Sequence, residues 1–294
     1  MEKEGFVGNL VAIGTVPVEE PSVIKGYSKI RGESLEIDGF SIEISPGTQT
    51  MIAAATVACE AIGVRAPYAV VAGDIGGGKG SDALFVFLLE RACELSPRVI
   101  VWHYIYPSFV MKDVFETIKE ECEPRPVLIA DAGSMYNVVE LGLAKEFDLL
   151  TPDPGEMGYL GDPDAAHPVY VSNPIFEIDT EDVPKLVSQA YQHGKASKVL
   201  LIKGPTDFIV KEGKVVQTIR EPNIPALEAI GGTGDTITGI VSALIYGGYN
   251  VVDAATYAAK ANRLAGSLAN PTPATPISEI IPHIPVALRK ILGK

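Results

Sequence analysis

AIGGTGDTITGIVSALIYGG, residues 229–248, decides how this chain is read. Gly231, Gly232 and Gly234 surround Thr233, so the backbone can turn tightly with its amide N–H groups facing outward. Asp235 then stands in the first turn of an apolar helix whose N-terminal dipole end is positive. Amides and dipole together make a place for an anion, phosphate above all. They can also neutralise charge that builds on a phosphoryl group in transfer. A carboxylate one turn into the helix is placed to take a proton from a hydroxyl attacking phosphorus. Glycine spacing by itself is equally compatible with a plain turn in which Asp235 only starts a helix.

Outward from this segment, the chain alternates short apolar strands with helices. Tyr68–Ala72, Arg98–Tyr104, Val127–Ala130, Asp148–Leu150 and Val199–Lys203 read as strands. Thr50–Ile62, Ser81–Leu95 and residues 112–121, 137–146, 181–194 and 252–269 read as helices. The pattern predicts a mostly parallel sheet with helices on both faces, a three-layer α/β/α sandwich. Asp38-Gly39, between Ser34–Ile37 and Phe40–Ile44, predicts a hairpin, as does Glu212-Gly213 between Asp207–Lys211 and Val215–Ile219. No repeat or linker breaks the 294 residues, so a single domain is expected. Residues 1–47, with a short β segment at Leu10–Ile13, are expected as a β lid or N-terminal extension.

Ligands of such sheets gather beyond the carboxyl ends of the strands, and each polar or glycine-rich segment here follows a strand. Lys203 ends an apolar strand, where a cation needs a phosphate or a carboxylate, and Gly204 follows it. Asp131 ends another strand at the same edge. The loop Gly73–Gly80 contains Gly76, Gly77 and Gly78 and suits a phosphate or a substrate hydroxyl. It lacks the Ser or Thr that a P-loop carries after its Gly-Lys pair. Glu156 either orients a metal-bound water or caps a helix. His103, His167, His193 and His283 have no ligand spacing and are assigned to no metal; Trp102 is expected in the core. Cys59, Cys93 and Cys122 lack CxxC spacing and are expected as buried apolar packing rather than as a metal site or disulfide.

A formal net charge of −13 argues against a surface that neutralises nucleic-acid phosphates, but not against one nucleotide held locally. No apolar run reaches the roughly 20 residues of a membrane helix, and the first residues lack the basic and apolar regions of a signal peptide. The expectation is a cytoplasmic protein with a small-molecule partner, without nucleic acid or membrane, its oligomeric state left open to a homo-oligomer.

GGTGDTITG ahead of a long apolar helix resembles the C-terminal signature of the ribokinase superfamily. The resemblance implies a ribokinase-like fold, an anion hole at Gly231, Gly232, Thr233 and Gly234, and Asp235 as catalytic base. Within that superfamily, four segments in order are similar to those of the ADP/ATP-dependent NAD(P)H-hydrate dehydratases: Pro126–Ala132 (PVLIADA), Leu149–Met157 (LLTPDPGEM), Leu201–Gly204 (LIKG) and GGTGDTITG. Implied are ATP or ADP with Mg²⁺ as cofactors, Lys203 and Gly204 at the nucleotide, and hydrated NAD(P)H near Gly76–Gly78, Asp131, Asp153 and Gly155. Glu156 would assist the metal. Two departures stand out. Asp153 replaces the family's His, and Lys260-Ala261-Asn262-Arg263 replaces its His-Gly pair and looks more like a sugar kinase. The alternatives are therefore a small-molecule kinase of a sugar or vitamin-precursor hydroxyl, or a non-catalytic nucleotide-binding regulator. ATP or ADP with Mg²⁺ is expected to raise the melting temperature, because a ligand bound only by the folded state stabilises it. Millimolar nucleotide without a shift contradicts a nucleotide site.

Overall fold

A computed structural model of the protein describes residues 8–162 and 182–293. In chain order the strands are β1 (Asn9–Val16), β2 (Val23–Arg31), β3 (Ser34–Ile37), β4 (Phe40–Glu43), β5 (Tyr68–Gly73), β6 (Pro97–Trp102), β7 (Val127–Ala130), β8 (Leu149–Leu150), β9 (Val199–Ile202), β10 (Asp207–Lys211) and β11 (Lys214–Ile219). The helices are α1 (Thr48–Ile62), α2 (Lys79–Arg91), α3 (Val110–Glu121), α4 (Ala132–Glu140), α5 (Pro154–Gly161), α6 (Val183–Gln192), α7 (Thr233–Tyr246), α8 (Val251–Ala269), α9 (Ile277–Ile280) and α10 (Ile284–Ile291).

The strands are apolar along their length because both faces are covered. In β1, Leu10 and Ala12 join one packed cluster and Val11 and Ile13 the other, as alternate side chains of a strand must. The first cluster holds α1, α7, α8 and α10; the second holds α2 to α6. One sheet lies between them, in the order β11-β10-β9-β8-β7-β6-β1-β5-β2-β3-β4. Pairing is parallel from β5 through β1 and β6 to β9, and antiparallel at both flanks. The expected α/β/α sandwich with a mostly parallel sheet is what forms. Both hairpin turns form too, with Asp38-Gly39 and Glu212-Gly213 at positive φ as a type I′ turn requires.

Residues 1–47 are expected as a β lid or extension, but the strands they carry belong to this sheet: β1 lies in its interior between β6 and β5, and β2, β3 and β4 lengthen one flank. Chain order reverses at β1, since α1 covers one face on the way to β5 and α2 covers the other on the way to β6. Such a switch point opens a crevice at the carboxyl ends of the strands. The cysteine expectation is corrected: Cys93 and Cys122 form a disulfide, and only Cys59 is free and buried. These residues lie 29 apart in sequence and meet because α2 and α3 pack side by side, which Cys spacing does not reveal. Among the described residues, no helix is long and apolar enough to cross a membrane.

Gly239 sets the approach of α7 to α1. A Cβ there would lie 2.3 Å from the Met51 carbonyl oxygen and 2.8 Å from the Ala55 nitrogen, so the helices would have to part. Gly239→Ala is expected to cost about 1–3 kcal/mol as overpacking. The melting temperature should fall by roughly 2–4 °C for each kcal/mol; an unchanged value contradicts this packing.

Candidate active site

Four parallel strands carry a polar residue just past their last apolar one: His103 after β6, Asp131 after β7, Thr151 after β8 and Lys203 after β9. All four are buried. Buried charges need partners, and Lys203 Nζ lies 2.6 Å from Asp131 Oδ1. Asp131 also accepts the N–H of Ala132 at 2.8 Å, which caps α4, and the Thr238 hydroxyl of α7 at 2.6 Å. Thr151 Oγ1 stands 3.0 Å from Thr238 Oγ1; because Thr238 gives its hydrogen to the carboxylate, Thr151 donates to Thr238. Burial alone would raise the Asp131 carboxyl, but Lys203 and His103 outweigh it and hold it well below the usual carboxylate range. Burial would likewise lower the Lys203 ammonium, and Asp131 and Glu156 raise it.

Above this layer sits the start of α7. Gly232, at φ 95°, is the residue that turns the chain into the helix. The first i→i−4 bond runs from Thr236 N to Gly232 O at 2.9 Å. The amides of Thr233, Gly234 and Asp235 precede it and have no acceptor within the helix. Asn262 of α8 braces the loop: its side chain donates to Thr233 O at 3.0 Å and accepts from Thr236 Oγ1 at 2.7 Å. Arg263 donates to Asp207 at 2.7 Å and to the carbonyls of Gly204 and Pro205, fixing the turn after β9.

Asp235 is pinned at both oxygens. Oδ2 accepts the Gly47 N–H at 2.7 Å, and Oδ1 lies 3.2 Å from His103 Nε2. His103 is fully buried and also lies 3.6 Å from Asp131 Oδ2. Burial would lower its imidazole, but the Asp131 and Asp235 carboxylates more than offset this and raise it to about 9. Glu156 is pushed up to about 8, first by burial and then by Asp153 and Asp131, against the pull of Lys203. Asp153 and Glu156 form a reciprocal cap at the start of α5, Glu156 N to Asp153 Oδ1 at 2.8 Å and Asp153 N to Glu156 Oε2 at 2.7 Å. Glu156 Oε1 has no hydrogen-bond partner among the described residues.

These elements enclose a cleft of about 350 Å³, within the size range of small-molecule sites. Asp131, Asp153, Glu156, Lys203, Gly204 and every residue from Gly231 to Asp235 line it. Gly76, Gly77, Gly78 and Gly155, expected at the substrate, are not among its lining residues. The amides of Gly76, Gly77 and Gly78 all donate to Asp74 Oδ1, at 2.9–3.0 Å, so the chain's own carboxylate fills the loop expected to receive a phosphate. Asp153 does stand in the cleft wall, but its carboxylate is committed to the α5 cap. His103, Asn262 and Arg263 were not singled out as site residues. His103 had a legible signal, since it ends an apolar strand as Asp131 and Lys203 do. Of the other histidines, His167 lies outside the described residues.

A family model described as NAD(P)H-hydrate dehydratase matches residues 108–285, more than half of the chain. An uncharacterized protein of Methanocaldococcus jannaschii is 40% identical over 223 residues, covering 76% of this chain and 91% of its own. The bifunctional NAD(P)H-hydrate repair enzyme of Hyperthermus butylicus is 41% identical over 85 residues, which span 29% of this chain and 15% of that protein. Among solved structures, phosphofructokinase-2 of Escherichia coli matches with a TM-score of 0.55 at 12% identity, over 96% of this chain and 99% of its own, a likeness of fold. A glycine-rich helix start closing on a strand-end cleft, set in an α/β/α sandwich and matched by the family model over residues 108–285, means that the chain belongs to the NAD(P)H-hydrate dehydratase family.

Proposed function

We propose that the protein uses ATP or ADP to dehydrate hydrated NAD(P)H, with Asp235 as the base. One observation carries the reading: Asp235 is a partly exposed carboxylate, pinned at both oxygens, beside three helix-start amides that have no acceptor among the described residues, in the cleft. The nucleotide's terminal phosphate lies against the amides of Thr233, Gly234 and Asp235, which stabilise the charge that grows on it in transfer. Asp235 accepts the proton of the substrate's ring hydroxyl as that oxygen attacks phosphorus. The nucleotide leaves one phosphate shorter. The ring C–O bond then breaks and the oxygen departs with the phosphate; a proton leaves the neighbouring ring carbon to solvent, its C–H electrons form the ring C=C bond, and the reduced nicotinamide is regenerated.

Lys203 holds Asp131, and through Thr238 it holds the first turns of α7, so the amides and the base keep their spacing. Mg²⁺ fits one residue here: Glu156 is buried in the cleft wall and, among the described residues, has an oxygen without a hydrogen-bond partner. Bound there with the phosphates, the ion would neutralise phosphate charge. Gly204 at the cleft edge would meet the nucleotide. Gly231 and Gly232 allow the turn. With Gly76–Gly78 closed by Asp74, the substrate is placed by Asp153 and the wall around Asp131.

The braced loop favours a second reading. Asn262 and the Asp153 cap stand where the chain departs from the dehydratases, and both fit a kinase that transfers phosphate to a sugar or vitamin-precursor hydroxyl without elimination. Hydrated NADH with ATP or ADP is expected to regain the absorbance of the reduced nicotinamide. No recovery with either nucleotide contradicts the dehydratase, and ATP consumed with an alcohol instead establishes the kinase. Asp235→Asn should lower turnover on the order of 10²–10⁴-fold with nucleotide affinity preserved. Equal loss of both would make Asp235 a structural residue.

A further inference from the structure

We propose that His103 is a positioning residue, a buried cation that holds Asp235 in its working orientation. The proposal deepens the reading of Asp235 as base and rests on it. Among the described residues, Asp235 has two hydrogen-bond partners, the Gly47 amide at Oδ2 and His103 at Oδ1. Only His103 can carry charge. Without it Oδ1 is unpinned, and the carboxylate turns about a single remaining bond.

His103 itself has no freedom. Its N–H donates to Ile13 O at 2.8 Å, its carbonyl accepts the Ser134 hydroxyl at 2.8 Å, and Nδ1 lies 3.2 Å from Thr48 Oγ1. The Tyr104 ring meets it edge-on, with centroids 4.7 Å apart. Residues from five elements converge here: Thr48 at the start of α1, His103 after β6, Asp131 after β7, Lys203 after β9 and Asp235 in α7.

Charge arithmetic gives the ring its state. Asp131 and Asp235 face the imidazole directly; Lys203 lies beyond Asp131, and Glu156 faces that pair from α5. Two carboxylates against Lys203 alone leave one buried negative charge without a counterpart, a costly arrangement. An imidazolium balances it, in keeping with a ring held above its ordinary range.

The test has two parts. The first is histidine-labelled NMR of the wild-type protein without substrate, which reads the ring's charge independently of any reaction. A positively charged His103 ring at pH 7, with its titration lowered in Asp235→Asn, is expected. A neutral ring at pH 7 overturns the proposal. So does a stoichiometric divalent metal that is lost with His103, since the three side chains would then be its ligands. The second part is turnover. His103→Ala should lower kcat on the order of 10–100-fold, as loss of alignment does, with KM for the nucleotide little changed. His103→Gln, a neutral donor that also serves if the alanine variant fails to fold, should recover part of kcat. An unchanged kcat, or kcat and KM failing together, overturns the proposal. If hydrated NADH proves not to be the substrate, the NMR titration still stands or falls by itself.

Discussion

The architecture at the functional edge depends on one ion pair, Lys203 with Asp131, removed from water at the ends of β9 and β7. Taking two charges into an interior costs several kcal/mol for each ion, and their attraction compensates only when the remaining lone pairs are filled. Asp131 meets that condition: besides the lysine it accepts the Ala132 amide and the Thr238 hydroxyl. Removing either ion would leave the other uncompensated, at a cost of about 3–5 kcal/mol. The same carboxylate thereby ties three elements together, the cap of α4, the first turns of α7 and the residue that follows β9.

From that pair the rest of the cleft follows. Thr238 sits one turn beyond Asp235, so anchoring it fixes the Asp235 carboxylate and the helix-start amides as one rigid piece. Gly239, the next residue, lets α7 lie close enough to α1 for the Gly47 amide and Thr48 to reach Asp235 and His103. One nine-residue string thus supplies the proposed anion loop and base, the hydroxyl that answers the buried carboxylate, and the helix contact. It reads as a site because each of its residues faces a different requirement.

How much of this could be read beforehand varies with the physics. The sandwich was legible because apolar strands and helical runs alternate, and both I′ hairpins were legible from Asp38-Gly39 and Glu212-Gly213. Asp235, the glycine loop, Lys203 and Asp131 were legible as strand-end and helix-start residues. The place of β1 inside the sheet, between β6 and β5, is not legible, because strand order is a long-range pairing that a local pattern does not encode. The Cys93–Cys122 disulfide was missed for the same reason. The Gly76–Gly78 loop was read by composition as open to a ligand, yet Asp74, one residue after β5, turns back and occupies its amides. His103 is not legible from ligand spacing within the sequence, because its partners come from other elements, 28 and 132 residues away.

The central claim is that the substrate's hydroxyl oxygen becomes a phosphate ester before it leaves. Hydrated NADH carrying ¹⁸O in the ring hydroxyl tests this directly when turned over with unlabelled ATP or ADP. Attack by that oxygen on phosphorus within the Gly232–Asp235 loop predicts that the label appears in inorganic phosphate. Label recovered in water, with none in the phosphate, would contradict the account.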